Sequence, residues 1–330
     1  MSCVSSIRFR CFVALFLVAI SVLVCVIVPY PARRLVASLA QPSWSEDFSV
    51  VQIRSSSDGS IHNAYAYKSP LLGKKPLIVS LHPWTGNFER YDPLSSHVLE
   101  VGYNYIHPDF RGPNNSPSGC ASVLALSDID DAISYCLENW SVDVERIYVV
   151  GASGGGHAAC ATYLRSVHPI RACFAWVPIT DVEAWYYQSQ QRGLSYASDI
   201  EKVCGGRFDP EIARSRSPIY MNIGGEFHGN LHLFAGVEDG YSGSVPISHS
   251  ILMFNRLCEA SGEANLKLEM SDVVSLLTRA VECTGQEIGE RAVFFKRSNR
   301  LGTLTVFDGG HEMLPGYTVD SIVKDAASAR

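Results

Sequence analysis

The feature that most constrains this chain is a serine flanked by glycines between a strand and a helix. Residues 151–155 read Gly-Ala-Ser-Gly-Gly, a G-x-S-x-G pattern. The apolar run Arg146–Val150 before it predicts a buried strand, and the alanine-rich stretch Gly154–Ser166 predicts a helix. So tight a turn excludes neighbouring side chains, exposes the serine hydroxyl and leaves the next amide at a helix N-terminus. We therefore predict Ser153 as a nucleophile and Gly154 as an oxyanion donor. A phosphate-binding loop is the alternative, but this strand is not the first.

Strands and helices alternate through the middle of the chain. The predicted strands are Ser49–Arg54, Ile61–Tyr67, Pro76–Leu81, Asn104–His107, Arg146–Val150, Ala172–Val177, Leu231–Gly236 and Leu304–Phe307, and the predicted helices are Leu126–Trp140, Gly154–Ser166 and Ile247–Ala260. This alternation predicts an α/β fold with a mostly parallel sheet and helices on both faces. In such sheets the chemistry lies at the carboxyl ends of the strands.

A nucleophilic serine needs a base, and the base needs a carboxylate that orients it. His311 lies on a glycine-rich loop after the last predicted strand, so we predict it as the general base. Asp239 follows the preceding strand and is the predicted acid, with Glu238 as the alternative. Asp181 follows a strand too early in the chain, where capping the next helix is the better interpretation.

The second oxyanion donor is expected after the strand Pro76–Leu81, where the sequence reads His82-Pro83-Trp84. Pro83 has no N–H group and cannot donate a hydrogen bond. The remaining candidates are the backbone amide of Trp84 and the side chain of His82. Trp84 is equally well explained as a wall of the substrate pocket.

Two further residues are candidate substrate contacts. Arg111 follows a predicted strand and has the charge to bind a substrate carboxylate, although a structural salt bridge is the more common role. Trp185 belongs to an aromatic cluster that follows the strand after the nucleophile. Its ring suits stacking on a sugar or an aromatic acyl group, and packing inside a lid or core is the alternative.

The N-terminus carries an apolar run from residue 11 to residue 28 behind Arg8 and Arg10. Its length is close to what crosses a bilayer, so a retained signal-anchor and a cleaved signal peptide are both open. We predict a segment of this kind over residues 1–40 and a catalytic domain over residues 41–330. The expected location is the secretory pathway, with the protein either secreted or tethered to a membrane through residues 11–28.

Composition narrows the classes of function. The formal net charge is −6 without a long run of either sign, which argues against nucleic-acid binding. The pair His228 and His232 with Glu226 does not form an H-E-x-x-H helix, so no metal is predicted, and no cofactor. Cys258 and Cys283 are able to close a loop in an oxidising compartment, and buried free thiols are the alternative.

Together these motifs resemble a known family. HPxxG after a strand, PDFRGPN, GASGGGH, GVEDGxxGSVPxxHS and FDGGHE are similar to the catalytic domain of prolyl oligopeptidases and related esterases. The resemblance implies an eight-stranded α/β-hydrolase sheet, a Ser153–Asp239–His311 triad and a small ester or short peptide as substrate. The chain departs from the peptidases in two respects. Too few residues precede the third strand for a β-propeller, and residues 262–291 read as a small helical insertion.

Other classes of function stay open. A serine hydrolase acting through an acyl-enzyme is the leading prediction, with esterase and peptidase activity evenly balanced. A hydrolase-fold domain that only binds its ligand is the first alternative, although silent domains usually lack a triad member. An acyltransferase would use the same chemistry and pass the acyl group to an alcohol instead of water.

Overall fold

The computed structural model describes residues 42–224 and 229–328. Ten strands form one sheet in the order β1-β2-β4-β3-β5-β6-β7-β10-β9-β8. They are β1 Ser49–Arg54, β2 Ile61–Tyr67, β3 Lys75–Leu81, β4 Asn104–Pro108, β5 Val142–Ala152, β6 Ile170–Trp176, β7 Asn230–Gly236, β8 Glu287–Ile288, β9 Arg291–Asn299 and β10 Gly302–Phe307. The six central strands run parallel, and antiparallel strands flank them on both sides.

Nine helices accompany the sheet in the described residues. They are α1 Leu94–Val101, α2 Val123–Asn139, α3 Gly154–Arg165, α4 Val182–Gln191, α5 Tyr196–Val203, α6 Pro210–Ser215, α7 Ser248–Ala260, α8 Met270–Leu277 and α9 Pro315–Ser328. Two short 3₁₀ turns, Pro218–Tyr220 and Ala264–Leu266, complete the set. All the predicted strands and helices are therefore present.

The apolar faces of the helices cover both sides of the sheet. In α2, Ser122 caps the first turn by accepting from the amide of Ala125, and Ile129 and Ile133 point into the core. This core also takes in α3 and α7, while α1 and α9 pack on the opposite face through residues such as Val98 and Ile322. Because both faces are covered, the central strands are buried along almost their whole length.

Helices α4, α5 and α6 form a third, smaller apolar cluster. Trp185 of α4 and Ile200 of α5 lie in it, together with Trp84 and Val245. The last two residues come from the loops after β3 and β7. The cluster therefore joins these three helices to loops at the carboxyl ends of parallel strands, where the candidate site residues lie.

The sheet has ten strands and not the eight that the resemblance implies. The additional strands, β8 and β9, lie at and just beyond the end of the stretch predicted as a helical insertion over residues 262–291. That stretch contains one regular α-helix, α8. The strand β9 pairs with β10 as an antiparallel hairpin. The backbone N–H and C=O groups of β9 form hydrogen bonds with this neighbouring strand. The strand therefore does not need the apolar run by which a buried strand is identified in a sequence.

Three predictions, on the apolar N-terminal run, on a metal site and on a disulfide, concern features other than the sheet. The apolar run at residues 11–28 and the residues Glu226 and His228 lie outside the described residues. Within residues 42–224 and 229–328, no helix combines the length and apolar composition required to cross a membrane. Cys258 is buried and Cys283 is exposed, and both are free thiols.

Candidate active site

Ser153 occupies the sharp turn between β5 and α3. Its backbone lies at φ 57° and ψ −117°, a conformation that residues other than glycine rarely adopt. Close packing explains the glycines around it. A Cβ at Gly151 would lie 2.2 Å from the carbonyl oxygen of Gly155, and one at Gly155 would lie 2.1 Å from that of Leu81. The turn thus presses against β3, and the strained serine is held with its side chain partly exposed.

His311 and Asp239 form a close pair at the ends of β10 and β7. The His311 Nδ1 atom lies 2.7 Å from Oδ2 of Asp239. The Asp239 side chain is only 1% exposed, and its other oxygen accepts from the amides of Gly240 and Val245, each at 3.0 Å. Two backbone donors and one imidazole therefore provide hydrogen-bond partners for both oxygens of this buried side chain.

The loop from Asp239 to Val245, called the acid loop below, wraps around this pair. Gly243 packs so closely that a Cβ there would lie 2.1 Å from Asp239 Oδ1 and 2.8 Å from the His311 Cβ. Ser244 Oγ lies 3.2 Å from Nε2 of His311. Both ring nitrogens of the imidazole are thus contacted from a single loop.

Ser153 and His311 line one cavity of about 450 Å³. Its walls include Trp84, Val177, Tyr196 and Met313, so they combine aromatic and aliphatic side chains. The volume is within the range of pockets for small molecules. The residues predicted as nucleophile and base are therefore brought to the same cavity.

The two candidates for the second oxyanion donor differ in their placement. The Trp84 amide nitrogen lies only 2.3 Å from the position of a Cβ on Gly154, so this amide lies beside the nucleophile turn. Among the described residues it donates to no other group. The His82 side chain is fully buried and stacks on Phe110 at 3.9 Å between ring centroids. The structure thus does not bring the His82 side chain to the cavity, which corrects that alternative.

Burial keeps the His82 imidazole neutral. Removal from water lowers its pKa to about 3, and its Nδ1 lies 3.1 Å from the carbonyl oxygen of Pro83. The neutral His82 ring packs against Phe110 and so stabilises the loop that contains Trp84. Its role in the site is therefore to pack under the loop.

Arg111 does not reach the cavity. Its Nε atom lies 2.6 Å from Oδ2 of Asp128 on α2, and its Nη1 atom lies 2.6 Å from Oδ2 of Asp58 in the β1–β2 turn. Hydrogen bonds to these carboxylates raise the pKa of the guanidinium above its already high value. The predicted contact with a substrate carboxylate does not fit this placement, because both faces of the charge are already paired. The salt bridge is the role that the structure supports.

Trp185 is also absent from the cavity wall. It is fully buried, packs edge-on against Trp84 at 4.7 Å and donates from Nε1 to the carbonyl oxygen of Ser244 at 3.0 Å. Tyr196, which stacks on Trp185, does line the cavity. The predicted substrate stacking by Trp185 is therefore replaced by packing behind the site.

The alternative acids have other partners. Glu238 pairs with Arg279 at 2.9 Å. Asp181 accepts from the amide of Ala184 at 2.9 Å and so caps α4, as the sequence indicated. Asp239 is the carboxylate that contacts His311.

Ser244 and Arg90 are among the residues of the site that were not singled out from the sequence. Ser244 contacts the base, and Arg90 lines the cavity without an ion-pair or hydrogen-bond partner for its guanidinium among the described residues. Ser244 belongs to the GVEDGxxGSVPxxHS motif, but nothing in that pattern reveals where its hydroxyl points. Arg90 lies in no motif, so sequence alone gave no signal for it.

Comparisons with known proteins identify relatives of this chain. A model of the prolyl oligopeptidase family matches residues 91–272, more than half of the chain. An acetylxylan esterase from Coprinopsis cinerea is 28% identical over 118 residues, which are 30% of this chain and 31% of that protein. An acylamino-acid-releasing enzyme 2 from Oryza sativa subsp. japonica is 23% identical over 227 residues, which are 60% of this chain and 27% of that protein. The chain spans less than a third of either relative.

Solved structures show the same architecture. An acylaminoacyl peptidase from Pyrococcus horikoshii has a TM-score of 0.58 at 16% identity, covering 89% of this chain and 42% of its own. An esterase from Pyrococcus furiosus has a TM-score of 0.54 at 14% identity, covering 88% of this chain and 92% of its own. With the open, mostly parallel sheet, these likenesses confirm the predicted α/β-hydrolase fold.

Proposed function

The chain belongs to the prolyl oligopeptidase family, and we propose that it is a serine hydrolase that cleaves acyl bonds through Ser153, His311 and Asp239. One observation carries the proposal. Ser153 lies strained at a strand-to-helix turn, in the same cavity as a histidine whose Nδ1 is 2.7 Å from a buried carboxylate. A nucleophile, a base and an orienting acid are what acyl transfer to a serine requires.

The first half of the reaction forms an acyl-enzyme. The Ser153 oxygen attacks the carbonyl carbon while its proton passes to Nε2 of His311. The Nδ1–H group donates to Asp239, which stabilises the imidazolium. The amides of Gly154 and Trp84 donate to the oxyanion of the tetrahedral intermediate. This intermediate collapses when the bond to the leaving group breaks and the leaving group takes the proton from Nε2.

The second half releases the acyl group. A water molecule gives a proton to Nε2 and attacks the acyl carbon, and the new oxyanion uses the same two amides. Collapse breaks the bond to Ser153, whose oxygen recovers the proton from the imidazolium. The products are a carboxylic acid and free enzyme. An alcohol replacing this water would make the protein an acyltransferase.

Labelling with a fluorophosphonate tests the nucleophile. We expect the wild type to be labelled at Ser153 and Ser153→Ala to remain unlabelled, since the probe bonds covalently to an activated serine. Ser244→Ala is the matched control because it removes the other serine beside His311. A domain that only binds its ligand would leave the wild type unlabelled, and equal labelling of wild type and Ser153→Ala would rule out Ser153.

Small esters are the substrates we propose first, with short peptides as the alternative. The cavity of about 450 Å³ suits a small acyl group. We expect kcat/KM for p-nitrophenyl acetate to exceed that for a proline-containing peptide amide. Faster cleavage of the peptide, with Ser153→Ala inactive on both, would reverse this preference.

The location in the secretory pathway also remains a proposal. It is supported by the apolar run at residues 11–28, which suits a signal peptide or an anchor. Cells expressing the full chain and a chain that begins at residue 41 should differ in fractionation. We expect only the full chain to enter the secretory route, and identical distributions would contradict the proposal.

A further inference from the structure

A second serine contacts the nitrogen that the proposed mechanism needs. Ser244 Oγ lies 3.2 Å from Nε2 of His311. Among the described residues, the hydroxyl of Ser153 has no hydrogen-bond partner, although it lines the same cavity. In this structure the base is therefore engaged by Ser244 and not by the proposed nucleophile.

Ser244 is held in place from two sides. Its carbonyl oxygen accepts from Trp185 Nε1 at 3.0 Å and from Arg192 Nη1 at 3.2 Å. The next amide, of Val245, donates to Asp239 Oδ1 at 3.0 Å. The backbone that carries the hydroxyl is thus tied to α4, to the residue that ends it, and to the acid itself. This fixed backbone places the Ser244 hydroxyl against the imidazole of His311.

The chemistry of imidazole makes this contact competitive. When Nδ1 carries the proton and donates to Asp239, Nε2 has one lone pair and acts only as an acceptor. The Ser244 hydroxyl then donates to Nε2, and so must the Ser153 hydroxyl before it loses its proton. Ser153 is the serine beside the Gly154 amide and the strained turn, so only its donation leads to acyl transfer.

We propose that Ser244 is a positioning residue that holds His311 in a resting orientation and must release Nε2 before Ser153 is activated. The inference rests on the proposed serine hydrolase function. No covalent bond changes in this step. One hydrogen bond, from Ser244 Oγ to Nε2, is exchanged for another, from Ser153 Oγ to Nε2, as the substrate enters.

The rate of inactivation by a fluorophosphonate tests the proposal, because it reports activation of the nucleophile without a deacylation step. We expect Ser244→Ala to react about two to ten times faster than the wild type, the effect of removing one competing hydrogen bond. Ser244→Thr keeps the hydroxyl and should react like the wild type. Ser242→Ala is the matched control, since Ser242 Oγ contacts the Glu238 carbonyl at 3.4 Å and not the base.

The outcomes separate this inference from the function on which it rests. A faster Ser244→Ala with unchanged Ser244→Thr and Ser242→Ala supports it. An unchanged or slower Ser244→Ala, or a Ser244→Thr as fast as Ser244→Ala, overturns it while leaving the hydrolase intact. A wild type that is not labelled at Ser153 removes the proposed function and this inference with it.

Discussion

At the scale of single residues, Gly243 shows how tightly the acid and base are enclosed. A Cβ on Gly243 would lie against both the carboxylate of Asp239 and the Cβ of His311, so there is no space for a side chain. The pair therefore depends on a residue that contributes no functional group. Its contribution is the close approach of backbone to side chains, which only glycine permits here.

Gly243→Ala should lower kcat/KM for a small ester by about a hundredfold. The new methyl group would lie 2.1 Å from Asp239 Oδ1, so the carboxylate or the loop must move, and displacements of this size in an active site cost about that much. Gly310→Ala is the control, because a Cβ there would meet nothing closer than Ser242 Oγ at 3.9 Å. Equal activity of the two variants would show that the acid loop gives way without disturbing the pair.

Arg90 sets an expectation for the charge of the substrate. The acidic residues of the cavity are already engaged, Asp92 by the Tyr105 hydroxyl at 2.6 Å and Glu312 by Arg291 at 3.0 Å. An unpaired guanidinium should therefore favour an acyl group with a negative charge.

Arg90→Gln should lower kcat/KM for p-nitrophenyl hemisuccinate about three- to tenfold and leave p-nitrophenyl butyrate unchanged, a modest effect because Arg90 is exposed. Arg165→Gln, on a different cavity, should affect neither ester. A parallel loss on both esters would assign Arg90 a role in folding or in general access instead.

There is a physical reason why some residues of the site could be predicted from the sequence and others could not. Ser153, Asp239 and His311 each lie within four residues of the end of a readable strand, and parallel strands bring their carboxyl ends together. Their proximity needs only the order of the strands. Ser244 and Arg90 lie in the middle of loops, where side-chain direction depends on contacts with distant residues. His82 also follows a strand directly, yet its ring turns inward to stack on Phe110.

At the scale of elements, Arg111 joins three parts of the fold. It lies after β4 and pairs with Asp128 of α2 and with Asp58 of the β1–β2 turn. Asp128 is 3% exposed, so its charge has lost most of its hydration and depends on protein partners. The cluster ties the edge hairpin to a central strand and a helix.

Arg111→Gln should lower the free energy of unfolding by about 2–4 kcal/mol, because a buried carboxylate loses its charged partner. Its kcat/KM should stay within about twofold of the wild type, since Arg111 does not line the cavity. Urea unfolding and ester hydrolysis measure the two effects. Arg171→Gln breaks a pair with Asp325 that is about one-third exposed on both sides, and should cost about 1 kcal/mol or less. A selective loss of activity in Arg111→Gln would restore the substrate contact.

The elements themselves were predictable to different degrees. Central strands such as β3 and β6 are buried on both faces, so their residues form apolar runs that stand out from the sequence. The strand β9 reads Arg-Ala-Val-Phe-Phe-Lys-Arg-Ser-Asn and mixes apolar with charged residues. It is a strand because β10 pairs beside it, which is a tertiary cause that no local pattern reveals.

At the scale of the whole molecule, neutral histidines are buried throughout the core. Burial lowers the pKa of His82 and His249 to about 3 and that of His157 and His232 to about 4. Unfolding returns these rings to water, where the pKa is about 6.5. The unfolded chain therefore takes up protons at a pH where the folded chain does not.

The free energy of unfolding should fall as the pH drops from about 6.5 toward 4. When a histidine has a lower pKa in the folded chain than in the unfolded chain, its full contribution to stability is present at a pH above the unfolded pKa. That contribution is lost as the pH falls from the unfolded pKa toward the folded pKa. Each ring contributes about 1.4 kcal/mol per pH unit in that window. Urea unfolding at pH 7, 6 and 5 measures how the free energy of unfolding changes with pH. Because His249→Gln removes one of these rings, it should reduce that slope by about 1.4 kcal/mol per pH unit. A free energy that is constant from pH 7 to pH 5 would contradict this expectation.

The strand β10 has two partners that differ in their distance along the chain. Its antiparallel pair with β9 is local, whereas its parallel pair with β7 joins residues some 70 positions apart. Only the second pairing brings His311 to Asp239. Local contacts form quickly during folding and distant ones slowly. During refolding, the hairpin and the helices should therefore form before ester hydrolysis is recovered. The time at which hydrolysis returns then reports when the central sheet is complete.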